Sequence, residues 1–218
     1  MIESIHKEPI LQLRNVTSEL SGGFLHDLTF NIHKGDNCIL FGPESCGIDS
    51  LVSHILGVNE EYKGEIQYKN YKIKDLDYDE KHVFKKELGY MHREFGLISN
   101  MTVYQNISLP LEYHSDCNTD MIKSRVMELM MELNLESCKN MRPIDLTGSE
   151  ILRTSFARSV ILDPDLLLLQ YVFEAQSPLN IQSLISKLYS RARNPHKTIL
   201  LMTYEPEKFV DLATKYIM

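Results

Sequence analysis

The sequence predicts an α/β protein with a mostly parallel sheet, crossover helices and a small antiparallel β region near its N-terminus. In the second half of the chain, short apolar runs of strand length alternate with segments of helical periodicity. This alternation is typical of parallel strands joined by helices. Near the N-terminus, two neighbouring segments alternate apolar and polar residues, as strands with one buried face do.

Each element has a local justification. Strands are expected where apolar and polar residues alternate, or where several apolar residues follow one another between turn residues. These segments are Leu11–Val16, Phe24–Ile32, Cys38–Phe41, Gly64–Tyr68, Leu166–Leu169 and Thr198–Thr203. Helices are expected where apolar residues recur three and four positions apart. These segments are Asp49–Leu56, much of Val103–Asn140, Glu150–Leu162, Leu179–Arg193 and a final helix from Pro206.

Composition excludes several classes of protein. The chain has 218 residues, 43% of them hydrophobic, which is enough to form a sizeable core and excludes a disordered or disulfide-dominated chain. The net charge of −7 argues against a general nucleic-acid binder, so no nucleic-acid partner is expected. The N-terminus lacks the apolar segment of a signal peptide, and the four cysteines have no metal-binding spacing. We therefore expect a cytoplasmic protein without a metal cluster.

A glycine loop lies between the third predicted strand and the first predicted helix. Gly42 and Gly47 have the spacing of the phosphate-binding motif G-x-x-x-x-G-K-[ST], in the strand-to-helix context that the motif requires. The loop comprises Gly42, Pro43, Glu44, Ser45, Cys46, Gly47, Ile48, Asp49 and Ser50. Ile48 occupies the position of the lysine that neutralises phosphate, and Asp49 that of the hydroxyl that binds Mg²⁺. Taken alone, this loop is also consistent with a plain strand-to-helix turn.

Further segments follow the loop in the order and spacing of an ABC-transporter ATPase subunit, which the chain resembles over residues 10–216. Leu88–Leu97 resembles the Q-loop, Leu146–Glu150 the L-S-G-G-Q signature, Asp163–Tyr171 the Walker B strand, Phe173–Pro178 the D-loop and Leu200–Glu207 the switch segment. Each segment departs from the family pattern at chemically important positions. The replacements are Arg93 for the Q-loop glutamine, Gln170 and Tyr171 for the Walker B Asp-Glu pair, Ser177 for the D-loop aspartate and Tyr204 for the switch histidine.

The resemblance implies a P-loop NTPase-like ABC ATPase core, formed by residues 1–100 and 147–218 of a single domain, with a helical subdomain at 101–146. It also implies ATP and Mg²⁺ as cofactors, an integral-membrane permease and a second ATPase subunit as partners, and a position on the inner face of the membrane. The segment Asn100–Leu111 is most similar to bacterial lipid-trafficking ABC subunits associated with MCE proteins. Other small importers and lipoprotein-release ATPases share this segment.

In such a dimer, one chain supplies most groups around a nucleotide and the other supplies the signature. The groups that would serve this chain's own nucleotide are replaced, at Ile48, Asp49, Arg93, Gln170, Tyr171 and Tyr204. Leu20 stands where an adenine-stacking aromatic is expected, with Phe24 as a substitute. The signature keeps Thr147, Gly148 and Ser149, with Glu150 for glutamine. The resemblance therefore implies no catalytic residue of its own, and a signature still able to face a partner's nucleotide.

Three functions follow from this pattern. The first is a catalytically impaired transporter subunit that docks on a permease through the segment between Phe95 and Leu111. The second is a residual ATP-binding or ATP-hydrolysing enzyme with atypical site residues, and the third is a soluble ABC-like regulatory protein. At single positions, Arg93 and Tyr204 also fit surface and packing substitutions without a role, and Asp49 fits a residue that caps the helix after Gly47.

Overall fold

Two sheets of different character organise the chain. The computed structural model describes residues 8–20, 23–43, 46–174, 176 and 178–218. The strands are β1 (Pro9–Leu20), β2 (Gly23–His33), β3 (Asn37–Leu40), β4 (Lys63–Tyr68), β5 (Tyr71–Lys72), β6 (Leu88–His92), β7 (Leu166–Gln170), β8 (Thr198–Met202) and β9 (Lys215–Ile217). One sheet is antiparallel, in the order β2-β1-β4-β5, and the other is parallel, in the order β6-β7-β8-β3-β9. The predicted fold class is confirmed.

Six α-helices are present among the described residues: α1 (Ile48–Ile55), α2 (Tyr78–Glu87), α3 (Val103–His114), α4 (Thr119–Glu132), α5 (Gly148–Val160) and α6 (Pro178–Ala192). The sequence analysis did not predict α2. Its signal was the Asp77–Glu80 pair, which forms a capping box in which each side chain bonds to the other residue's backbone N–H. None of the helices in the described ranges combines the length and apolarity needed to cross a bilayer.

The four consecutive leucines of β7 divide the core into two layers. Leu166 and Leu168 pack with the antiparallel sheet and α1, whereas Leu167 and Leu169 face the layer that contains α3, α4 and α5. All four are at most 1% exposed, because a central parallel strand is covered on both faces. β7 therefore places its last residue, Gln170, between two packed layers.

The predicted helix from Pro206 is wrong. Pro206–Phe209 forms a short 3₁₀ turn, and no side chain caps its start. The chain then returns to the parallel sheet, where the Thr214 N–H donates to the Asn37 carbonyl and β9 pairs with β3. The 3₁₀ turn does not continue as an α-helix, because the N–H groups of Leu212 and Ala213 both donate to the Phe209 carbonyl and close a further turn before β9.

His54 makes stability depend on pH. Its ring is fully buried at the end of α1, with Nδ1 2.9 Å from the Asn59 carbonyl and Nε2 2.9 Å from the Ser18 hydroxyl. The carbonyl can only accept, so Nδ1 donates and Nε2 accepts from Ser18. Burial lowers the His54 pKa below its ordinary value of 6.5.

Because the unfolded chain takes up a proton on His54 before the folded chain does, stability is complete above pH 6.5 and declines below it. We expect the free energy of unfolding to fall by up to about 1.4 kcal/mol per pH unit there. Urea unfolding across this range would measure it, and His54→Gln should flatten the profile. The pKa of His114 is also lowered, chiefly by burial. The pH profile of His114→Gln is therefore the one with which the profile of His54→Gln is compared. If stability depends on pH in His54→Gln as it does in the unmodified chain, another group causes the pH dependence.

Candidate nucleotide-binding site

The glycine loop joins β3 to α1, as predicted. Neighbouring atoms leave no space for a side chain at either of its glycines. Gly47 has a φ of 82°, in the left-handed region, and a Cβ there would lie 2.9 Å from Cγ of Leu25. A Cβ on Gly42 would lie 2.8 Å from Sγ of Cys46. The Cys46 N–H donates to the Pro43 carbonyl at 2.9 Å and closes the turn. The predicted loop residues Glu44 and Ser45 lie outside the described residues.

Ile48, at the lysine position, is a core residue. It is the first residue of α1 and is 4% exposed, in the same apolar layer as Leu51, Val52 and Tyr171. Burying a side chain of this size contributes about 2 kcal/mol. No residue from 42 to 50 carries a positive charge. For binding phosphate, the loop therefore provides backbone N–H dipoles and the N-terminus of α1, but no cationic side chain.

Asp49 and Gln170 contact each other directly. The Gln170 amide nitrogen donates to Asp49 Oδ1 at 2.5 Å, and the Tyr90 hydroxyl donates to Gln170 Oε1 at 2.5 Å. Gln170 is 3% exposed at the end of β7, and Tyr90 lies on the neighbouring β6. Burial, aided by the charges of Asp49 and Glu94, raises the Tyr90 pKa to about 12, so the hydroxyl keeps its proton.

Asp49 lies in the first turn of α1 and bonds to Gln170. The N-cap of α1 is Gly47, so Asp49 is not the helix cap. In this turn the helix dipole favours the negative charge of its carboxylate. Ser50, the next residue, is buried within α1, so its hydroxyl is not presented to the loop surface.

Two tyrosines occupy the positions of the catalytic glutamate and the switch histidine. The rings of Tyr171 and Tyr204 stack with centroids 4.3 Å apart and planes 16° apart. Tyr171 is 1% exposed and has a φ of 52°, a strained conformation for a bulky residue. Burial and a hydrogen bond with Tyr204 raise the Tyr171 pKa. Tyr204 is thus a packing residue, and the Tyr171 hydroxyl supplies no base near neutral pH.

Glu174 and Arg93 complete this cluster. Glu174 Oε1 accepts from the Thr203 hydroxyl and from the Tyr204 N–H, both at 2.8 Å, and so ties the segment after β7 to the segment after β8. Arg93 is exposed, with its guanidinium carbon 5.9 Å from the Tyr171 ring centroid. That distance is at the outer limit of a cation–π contact. Ser177, the predicted D-loop replacement, lies outside the described residues.

Unlike the buried residues around Gln170, the signature segment lies at the exposed N-terminus of helix α5. Thr147 caps α5: its hydroxyl accepts from the Glu150 N–H, while the Glu150 carboxylate accepts from the Thr147 N–H at 2.8 Å. These hydrogen bonds lower the Glu150 pKa. Thr147 and Gly148 are exposed and Ser149 is half-buried. The surface at the start of α5 is thus ordered and accessible to a partner.

The structure brings Ile48, Asp49, Arg93, Gln170, Tyr171 and Tyr204 to one region, joined by the contacts described above. Sequence reasoning missed Tyr90 and Glu174, which complete the hydrogen bonding of Gln170 and Tyr204. Phe24 is 51% exposed and tilted against His26, close to Gly47. The side chain of Leu20 lies outside the described residues.

The loop that follows β6 is held by side chains of α5. The Arg158 guanidinium donates to the carbonyls of Phe95 and Gly96 at 2.9 Å, and the Ser155 hydroxyl donates to Phe95 at 3.0 Å. Burial lowers the Arg158 pKa. Because Phe95 and Gly96 both have positive φ angles, these three bonds stabilise an otherwise unfavourable turn.

Several known proteins are similar to this chain. The methionine import ATP-binding protein MetN of Clostridioides difficile (strain 630) is 29% identical over 183 residues, which cover 84% of this chain and 57% of that protein. The intermembrane phospholipid transport system ATP-binding protein MlaF of Haemophilus influenzae is 22% identical over 205 residues, which cover 94% and 78%. The chain spans little more than half the length of the MetN relatives it matches.

Solved structures show the same fold. A dimeric post-hydrolysis state of the ATP-binding cassette MJ0796, bound to ADP and Pi, superposes with a TM-score of 0.82 at 23% identity, covering 95% of this chain and 94% of that one. The structure of cbiO1 from Clostridium perfringens gives 0.80 at 19% identity, covering 95% and 83%. A family model described as ABC transporter matches residues 25–170, more than half of the sequence. The chain belongs to the ABC transporter ATP-binding family.

Proposed function

We propose that this chain is a catalytically impaired ATP-binding-type subunit of an ABC transporter. In this proposal it lies on the inner face of the membrane, docks on a permease and pairs with a second ATPase subunit. The observation that carries the proposal is the direct contact between Asp49 and Gln170, at the two positions that would hold Mg²⁺. By similarity to MlaF, the proposed cargo class is lipid; a small imported solute, as for the methionine import protein MetN, is the alternative.

The residues present do not fit Mg-ATP. A carboxylate only accepts hydrogen bonds, so the amide N–H of Gln170 faces Asp49 and its carbonyl faces Tyr90. An N–H donor directed at the metal position repels a cation. The carboxylate of Asp49 lies where phosphate oxygens would approach, and Ile48 supplies no compensating charge. The Walker B carboxylate and the phosphate-neutralising cation are therefore missing, and the Asp49 carboxylate is already bonded to Gln170.

Hydrolysis has a further requirement that the site does not meet. ATP cleavage needs an oriented water and stabilisation of the charge on the transferred phosphoryl group. Tyr171 and Tyr204 stack on each other at the positions of the catalytic glutamate and the switch histidine, and the raised pKa of Tyr171 keeps its hydroxyl protonated. Removing one such group commonly costs about 10²–10³ in rate. We expect no measurable turnover from this chain alone.

The surfaces a transporter partner would use differ from this closed site. The segment from Phe95 is tied down by Arg158 and leads into α3, which starts with a capping box between Thr102 and Gln105. The start of α5 presents Thr147 and Gly148 to solvent. Docking depends on burial and shape and does not need the lost charges, so both surfaces can remain functional.

Isothermal titration of the isolated chain with Mg-ATP should show no binding in the micromolar range, because no cation faces the loop and Asp49 repels phosphate. The double variant Ile48→Lys with Asp49→Ser should bind more tightly without gaining turnover, because Gln170 and Tyr171 still lack carboxylates. A low-micromolar dissociation constant for the unmodified chain would instead support a residual ATP-binding enzyme. Purification with membrane subunits would separate the transporter role from that of a soluble regulator.

A further inference from the structure

The contact between Asp49 and Gln170 joins two elements that are 121 residues apart in the sequence. We infer that Tyr90, Gln170 and Asp49 form a clamp that holds the start of α1 against the end of β7 without nucleotide or metal. The clamp itself is a property of this chain. Its consequence, a transporter subunit whose loop stays in one arrangement through the transport cycle, rests on the function proposed above.

The polarity of the clamp is determined at Asp49. Its carboxylate can only accept, which directs the Gln170 nitrogen toward Asp49 and leaves the Gln170 oxygen to accept from the Tyr90 hydroxyl. Each hydrogen bond polarises the amide in the direction that strengthens the other.

Burial makes the clamp costly to open. Gln170 is 3% exposed, so its amide cannot exchange either partner for bulk water. Asp49 gains from the dipole at the start of α1 while it accepts from Gln170, and the bond to a charged acceptor is stronger than a neutral one. A separated Gln170 would leave a buried donor without a partner.

The clamp occupies the place of the usual ligand. By resemblance, a hydroxyl at position 49 and a carboxylate at position 170 are joined in the family through Mg²⁺ and the nucleotide. Here the carboxylate stands at Asp49 and an uncharged amide at Gln170, so the two side chains bond directly and no ion is required between them. The same two elements are linked in both cases, but in this chain the link is permanent.

The test is to replace the amide with an isosteric carboxylate. Gln170→Glu puts two carboxylates in contact, so we expect the Tm at about pH 8 to fall by about 6 °C. Most of this loss should be regained at about pH 5, where one proton is shared between the two groups. Millimolar Mg²⁺ should also raise the Tm of the variant at pH 8 and leave the unmodified chain unchanged.

Gln67→Glu is the matched control. The Gln67 amide also donates to a carboxylate, Glu65, at 2.7 Å, but on the half-buried surface of β4. Its loss of Tm should be less than about one third of that of Gln170→Glu, because solvent and the cations Arg14 and Lys72 beside Glu65 reduce the repulsion. Tyr90→Phe has its own control in Tyr62→Phe, since the Tyr62 hydroxyl has no partner among the described residues. Tyr90→Phe should lower the Tm and Tyr62→Phe should not.

The decisive variant is the exchange Asp49→Asn with Gln170→Glu, which restores an amide–carboxylate bond with its polarity reversed. We expect the double variant to recover most of the Tm that Gln170→Glu loses at pH 8. If Gln170→Glu alone does not fold, folding of the double variant tests the clamp in its place. A Tm for Gln170→Glu equal to that of the unmodified chain, a loss that does not shrink at pH 5, or no recovery on exchange would overturn the clamp. The proposed function fails separately, if the unmodified chain binds Mg-ATP.

Discussion

Replacing Tyr171 with glutamate, the residue the family carries at this position, will destabilise the protein and will not restore hydrolysis. Tyr171 is 1% exposed, and its ring is stacked on Tyr204 within the apolar layer that also contains Ile48. Tyr171→Glu removes the ring and places a carboxylate in this layer. We expect the free energy of unfolding to fall by about 4 kcal/mol at neutral pH, from lost packing and an unpaired buried charge.

Urea unfolding measures this loss, with Tyr171→Phe as the matched control. The phenylalanine keeps the stacked ring and removes only the hydroxyl, so its cost should be about 1 kcal/mol. The loss in Tyr171→Glu should become smaller in acid, because burial raises the pKa of a carboxyl group and its neutral form is less costly there. If the two variants are equally stable, the stacked pair is not part of the core.

The fold could be predicted because its signals are local. The four leucines of β7 and the alternating residues of β1 and β2 each specify a strand through hydrophobic pattern alone. The helix expected from Pro206 is wrong for a reason that is not local, since the twelve residues between β8 and β9 must also bring the chain back to pair with β3. Helix α2 was missed because its capping box, rather than a strong apolar stripe, marks it.

For the candidate site too, the sequence predicts some features and not others. The sequence shows which family positions are replaced, because each motif can be aligned on its own residues. It does not show that the replacements contact each other: the partner of Gln170 is 121 residues away, and Tyr90 lies on a separate strand. Hydrogen-bond partners across a sheet depend on register and layer packing, which hydrophobic pattern does not specify for polar residues.

These contacts give the losses at the nucleotide site a common physical basis. Lysine, hydroxyl, carboxylates and histidine in the family all interact with a charged ligand. Here Ile48 is buried, Gln170 bonds to Asp49 and Tyr171 stacks on Tyr204, so the replacements interact with one another. A site that satisfies its own polar and apolar groups does not need a ligand for stability. The start of α5 shows no such closure and keeps Gly148 exposed.

The largest functional effect should therefore come from Gly148. In a complex purified with its partner subunits, Gly148→Trp should lower the ATPase rate by about tenfold or more, because in the proposed pairing the partner's nucleotide approaches the backbone at the start of α5. Gly148 is exposed in this chain, so the tryptophan can be directed into solvent and the fold should remain intact. Gly148→Ala should have a smaller effect, in proportion to its size.

Two further variants show whether the effect belongs to the signature surface. Met131→Trp places the same ring on an exposed position of α4 and should leave the ATPase rate unchanged. Ile48→Val removes one methylene group from the loop, which keeps the core folded and should not alter the rate, because no nucleotide is expected there. If Ile48→Val lowers the rate of the complex while Gly148→Trp does not, the nucleotide binds at this chain's own loop, and the division of roles between the two subunits is the reverse of the one proposed.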